Sequence, residues 1–68
     1  MIKNNLRILM AIKKMRIVEL ARINNVDYRT ISNLYNEKSK GIEFETLDKI
    51  CNALQCSASE IFEHIPEE

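Results

Sequence analysis

Sixty-eight residues suffice for one small domain, and a chain of that size buries only about 60% of the surface its unfolded form exposes, which leaves little room for a deep catalytic cleft. Apolar residues make up 46% of the chain and charged residues 29%, a composition that excludes a disordered tail and fits an ordered soluble domain. The net charge of zero hides a strong asymmetry: residues 1–40 carry nine basic against three acidic side chains, a balance of +6, and residues 41–68 carry one against seven, a balance of −6.

In chain order, the N-terminal stretch first has to be weighed as a targeting segment. Its apolar run, Ile8 to Ile12, stops at Lys13 and Lys14; a secretory segment needs about 7–15 apolar residues and a membrane span about 20. Neither is expected, and a cytoplasmic location follows. Leu6, Leu9, Met10 and Lys13, three and four apart, predict a first helix from about Asn4 or Asn5 to Lys14, with Asn as its N-cap. A second helix covers about Ile17 to Asn24, with Leu20 and Ala21 inward. Asn24-Asn25-Val26 then reads as a tight turn, because Asn is the non-glycine residue that best tolerates left-handed backbone. Asp27 is placed to cap a third helix, about Tyr28 to Asn36. Glu37 to Gly41 form a loop with the only glycine.

A fourth helix, about Glu45 to Leu54, aligns Leu47, Ile50, Cys51 and Leu54 on one stripe. Ser57-Ala58-Ser59-Glu60 has the pattern of a capping box, opening a fifth helix that runs to about His64 before Pro66 stops it. No segment alternates convincingly as a strand. The fold class expected is therefore all-α, a compact five-helix domain over residues 1–68, with a core of Leu6, Leu9, Met15, Leu20, Ala21, Val26, Ile31, Leu34, Phe44, Leu47, Ile50, Cys51, Leu54, Ile61 and Phe62.

The third helix is the informative one. At about 100° per residue, Ile31 and Leu34 define a buried direction, and Arg29, Ser32, Asn33 and Asn36 fall on the opposite side with Tyr28 at the leading edge. These side chains suit base edges: Arg forks onto guanine O6 and N7, Asn pairs with adenine N6 and N7, and a helix fits the major groove of DNA. A merely solvated polar face is the competing reading, and the positive charge of the same half of the chain weighs against it. Catalysis finds no support, because there is no glycine-rich phosphate loop and no Cys–His or Ser–His arrangement. Cys51 and Cys56 read as buried thiols, since a zinc site would need four ligands and only His64 could join them. No metal, cofactor or small-molecule ligand is expected.

Residues 17–36, IVELARINNVDYRTISNLYN, resemble the helix-turn-helix of Cro/cI-type (XRE-like) repressors through Leu20-Ala21, the turn at Asn25, Val26, Ile31 and Leu34. LRILMAIKKM resembles the first helix of that family, and FETLDKICNALQCSASEIF its fourth and fifth, so the likeness spans roughly residues 5–65. It implies a lambda-repressor-like five-helix domain that binds double-stranded DNA with the second motif helix in the major groove. Carried over position by position, it implies base reading by Tyr28, Arg29, Ser32 and Asn33. Phosphate contacts are implied at Arg16, at the backbone N–H of Ile17, and at Asn36, Lys38 and Lys40. The chain departs from the pattern in several places. Arg16 and Ile17 stand where the family often has Ser/Thr and Gln, Asn25 and Glu37 where glycine is usual or frequent, and Met10 and Tyr35 where some members carry an Arg–Glu ion pair. Apolar packing is expected to replace that pair. The function expected is transcriptional regulation, as a repressor bound as a homodimer to a palindromic operator, with Ile61, Ile65 or their neighbours as the self-contact. The alternative is a protein-binding module of the same fold, an antitoxin or adaptor using the acidic C-terminal part.

Overall fold

The computed structural model describes residues 1–67. Five helices occupy the expected places: α1 (Leu6–Ile12), α2 (Ile17–Asn24), α3 (Tyr28–Tyr35), α4 (Phe44–Leu54) and α5 (Ala58–Ile61). Two short strands, β1 (Ile2–Asn4) and β2 (Phe62–His64), pair antiparallel with Ile2 opposite His64 and Asn4 opposite Phe62. These strands correct the expectation of a chain without strands and of a fifth helix running to about His64. Three-residue strands are too short to show alternation, and their stability comes from pairing across sixty residues of chain. The Met1 ammonium donates to the Ile65 carbonyl and the Ile65 amide to the Met1 carbonyl, both at 2.8 Å, while the Asn5 amide takes the Ile61 carbonyl at 2.7 Å. The two ends thus satisfy each other's backbone polar groups, which a four-residue α5 would otherwise leave orphaned. Among the described residues no helix is long and apolar enough to cross a membrane.

Leu6, Met10, Leu20, Ala21, Ile31, Leu34, Ile50, Leu54 and Ile61 form the buried core, with Leu9, Met15, Val26, Leu47, Cys51 and Phe62 packed half-buried against it. Two expectations fail here. Phe44 is 89% exposed: it shares the phase of Leu47, but it is the first residue of α4, and because helical side chains lean toward the N-terminus it is carried away from the helix body and is not among the residues packed on the core. Ile61 is fully buried, as its place in the expected core requires, so the self-contact also considered for it is the expectation that fails; Ile65 is half-buried and bonds Met1 through its backbone.

The helix exits share one device. Lys14, Asn25, Glu37 and Gln55 each adopt φ between 53° and 58°. In every case the next residue donates its amide to the carbonyl five positions back: Met15 to Met10, Val26 to Ala21, Lys38 to Asn33 and Cys56 to Cys51, at 2.8–3.1 Å. This wraps the last turn and satisfies carbonyls that a helix end leaves free. Met15, Val26 and Cys56 then dock apolar side chains against the core; Lys38, after α3, is exposed and is the exception. Asn4 bridges two elements. Its Oδ1 accepts the Leu6 amide at 2.9 Å and opens α1, while its Nδ2 donates to the Leu34 carbonyl at 2.8 Å. The entry to α1 is thereby fixed to the end of α3, and Asn5, at the formal cap position, makes no side-chain cap.

Candidate nucleic-acid interface

Helices α2 and α3 and the turn between them build the helix-turn-helix predicted over residues 17–36. Asn25 takes the left-handed conformation at φ 55°, ψ 42°, which reverses the chain between the two helices without a glycine. Asp27 then caps α3 as expected, its Oδ1 accepting the Arg29 amide at 3.0 Å. Ile31 and Leu34 are 0% and 5% exposed, so they anchor α3 and fix its rotation. Arg29 and Asn36 are exposed, Tyr28 is 53% exposed, and Ser32 and Asn33 are half-exposed on the same outer side. The structure thus brings the four residues expected to read bases onto one surface stripe of one helix, none of them beneath another element.

The residues expected to hold phosphates lie at both ends of the motif. Arg16 precedes α2 in extended conformation, and one Glu19 carboxylate oxygen accepts both its amide, at 3.2 Å, and its Nε, at 3.1 Å. Hydrogen bonding from Arg16 holds the Glu19 carboxyl below the ordinary carboxylate range. The pair directs the guanidinium by its Nε edge and leaves both Nη groups without a partner among the described residues. The Ile17 amide, at the first turn of α2, likewise has no acceptor there, the condition for anion contact at a helix N-terminus. A cleft of about 380 Å³ lined by Met10, Met15, Arg16, Ile17, Tyr28 and Tyr35 joins this end of α2 to the start of α3. Lys38 and Lys40 are exposed in the loop after α3, and neither pairs with a carboxylate among the described residues. Asn36 differs from expectation in detail: its Nδ2 turns back to the Ser32 carbonyl at 2.9 Å and toward the Ser32 Oγ at 3.4 Å.

Met10 is buried and Tyr35 half-buried, in line with the apolar packing expected at these two positions. The Tyr35 ring also carries a cation. The Arg7 guanidinium sits 4.9 Å from its centroid, and Arg7 Nη2 reaches Asn36 Oδ1 at 3.5 Å. In the sequence Arg7 stands out only as one more positive charge; the usable signal is the aromatic residue at 35, a plate on which a guanidinium can stack. Cys51 and Cys56 are free and half-buried, and burial together with the neighbouring Cys51 pushes the Cys56 thiol up. Among the described residues no three His, Cys, Asp or Glu side chains come together as a metal site.

Comparison with known proteins agrees with this geometry. The family model of the Cro/C1-type HTH DNA-binding domain matches residues 5–67. A Bacillus subtilis (strain 168) protein named as an uncharacterized HTH-type transcriptional regulator, YozG, is 34% identical over 64 residues, which cover 94% of this chain and 76% of that protein.

Proposed function

The chain belongs to the Cro/C1-type helix-turn-helix family of DNA-binding domains, and from that premise we propose that it is a sequence-specific transcriptional repressor that binds a palindromic operator as a homodimer. In this reading the whole chain acts as one domain in the cytoplasm, where Cys51 and Cys56 remain reduced. Tyr28, Arg29, Ser32 and Asn33 read base edges in the major groove. Arg16, the Ile17 amide, Lys38 and Lys40 hold phosphates on either side of it, with Asn36 at the end of the reading helix. One copy reaches few base pairs, so useful affinity requires two half-sites related by a two-fold axis. Repression is steric, by a bound dimer that blocks polymerase.

The observation that supports this best is the orientation of α3. Its buried side, Ile31 and Leu34, lies opposite a polar stripe of base-matching side chains, flanked by Arg16 with both Nη groups free, by Lys38 and Lys40 without a carboxylate partner, and by the Ile17 amide without an acceptor, all among the described residues. Selection of bound duplexes from a random pool tests the reading, and a palindromic consensus is the expected outcome. Replacing Arg29 and Asn33 by Ala is expected to remove the preference for that consensus, at about 1–3 kcal/mol for each bidentate pair, while binding to random duplex remains. Retained preference in the double variant would refute the assignment of the reading face. One feature favours a second reading, a protein-binding adaptor or antitoxin: the −6 balance of residues 41–68 offers an acidic surface to a basic partner. Partner binding insensitive to the Arg29 and Asn33 changes would identify it.

A further inference from the structure

We infer that Arg7 is a phosphate-contacting residue of the DNA interface, held in place by Tyr35 and Asn36 as positioning residues. The inference rests on the proposed DNA-binding mode and adds a contact from α1, outside the helix-turn-helix. Three observations carry it. The start of α1 is tied to the end of α3 by Asn4, whose amide donates to the Leu34 carbonyl at 2.8 Å, so Arg7, in the first turn of α1, stands at the lip of the reading helix. Its guanidinium lies 4.9 Å over the half-buried Tyr35 ring, a fixed plate that limits the directions this long side chain can take. One Nη reaches Asn36 Oδ1 at 3.5 Å, and Asn36 is itself braced against Ser32 on the outer face of α3.

The donor and acceptor pattern decides what this cluster offers. A phosphate oxygen accepts hydrogen bonds and needs donors. Asn36 directs its amide donors back to Ser32 and its oxygen toward Arg7, so in this arrangement it is not the donor. Arg7 has five N–H groups in a planar fork, uses one on Asn36, and pairs with no carboxylate among the described residues. The free donors and the positive charge at this corner therefore belong to Arg7. The Tyr35 and Asn36 contacts hold the guanidinium ready before DNA arrives, which lowers the ordering cost of the contact.

The salt dependence of duplex binding distinguishes a phosphate contact from a stacked surface arginine. Each phosphate neutralised contributes about 0.9 to the slope of log K against log salt concentration. Arg7→Met keeps an apolar stem on the ring and is expected to lower the slope by about 0.9, equally on consensus and random duplex, with sequence preference unchanged. Arg7→Lys is expected to restore the slope. Tyr35→Phe is expected to bind as the wild type does, and Tyr35→Leu to bind several-fold more weakly without altered preference. Lys49→Met, the same change of charge on α4 where Lys49 faces Glu45 at 3.5 Å, should leave the slope alone. A wild-type slope in both Arg7→Met and Arg7→Gln, with thermal melts showing that both fold, overturns the inference while leaving the reading face intact. Failure of the wild-type protein to bind duplex DNA overturns the proposed function and this contact with it.

Discussion

At the scale of single residues, the motif is set by side chains that hold backbone rather than touch a ligand. Asp27 is the clearest: its position close to the proposed DNA surface suggests a contact, but its carboxylate is spent on the Arg29 amide, and a carboxylate facing phosphates would be repelled. Asp27→Ala is expected to lower stability by about 1 kcal/mol, the ordinary cost of losing an N-cap, measured by urea denaturation at pH 7. Sequence preference should persist in the folded fraction, since no reading residue is removed. Asn4 does comparable work with both ends of its carboxamide, joining α1 to α3. Glu19 belongs with these residues, orienting Arg16 through two hydrogen bonds to one oxygen.

At the scale of elements, the recurring feature is the left-handed exit. Four helices leave through a non-glycine residue at positive φ, a conformation that costs a residue with a Cβ about 1–2 kcal/mol. The strain is tolerated because the following amide closes the turn and, in three of the four, an apolar side chain docks behind it. Gln55→Gly is expected to stabilise the protein by about 0.5–1 kcal/mol, the released strain less the extra chain entropy glycine brings to the unfolded state. Glu37→Gly is expected to gain a similar amount and also to tighten random-duplex binding, because it removes a carboxylate between α3 and Lys38. Asn25→Gly should gain least, Asn being the side chain best suited to that backbone. A melt series of the three variants checks the ranking, and equal gains at Gln55 and Asn25 would contradict it. Lys38 shows why one exit differs: a cation, not an apolar anchor, follows Glu37, at the edge of the proposed interface.

At the scale of the whole molecule, the charge asymmetry of the sequence has a clear consequence for association. The first forty residues, which include all the proposed contacts, carry +6, and the remainder carries −6. The field therefore orients the molecule toward a polyanion without net attraction at long range. Four side-chain cations, Arg7, Arg16, Lys38 and Lys40, are assigned to phosphates, so the slope of log K against log salt for random duplex is expected to be about −3.5 per protein copy. A slope near −1 by fluorescence anisotropy would mean that most of these cations stay in solvent. Because the acidic part repels DNA, the slope should not reach the value that all nine N-terminal basic residues would give.

Much of this was legible in the residues alone. Periodicity located five helices, Asp27 announced its cap, Asn25 its turn, and Ile31 with Leu34 fixed which side of α3 is buried, because burial and backbone preference at these places depend on near neighbours in the chain. The antiparallel strands, the early end of α5, the exposed Phe44 and the seat of Arg7 on Tyr35 were decided only in three dimensions. Each depends on groups distant in sequence or on where an element ends relative to the core: His64 is opposite Ile2, the Asn5 amide donates to the Ile61 carbonyl, and Arg7 meets Tyr35 where α1 packs against α3. Local chemistry prescribes an element and its face, but which faces meet depends on contacts that no single window of sequence contains.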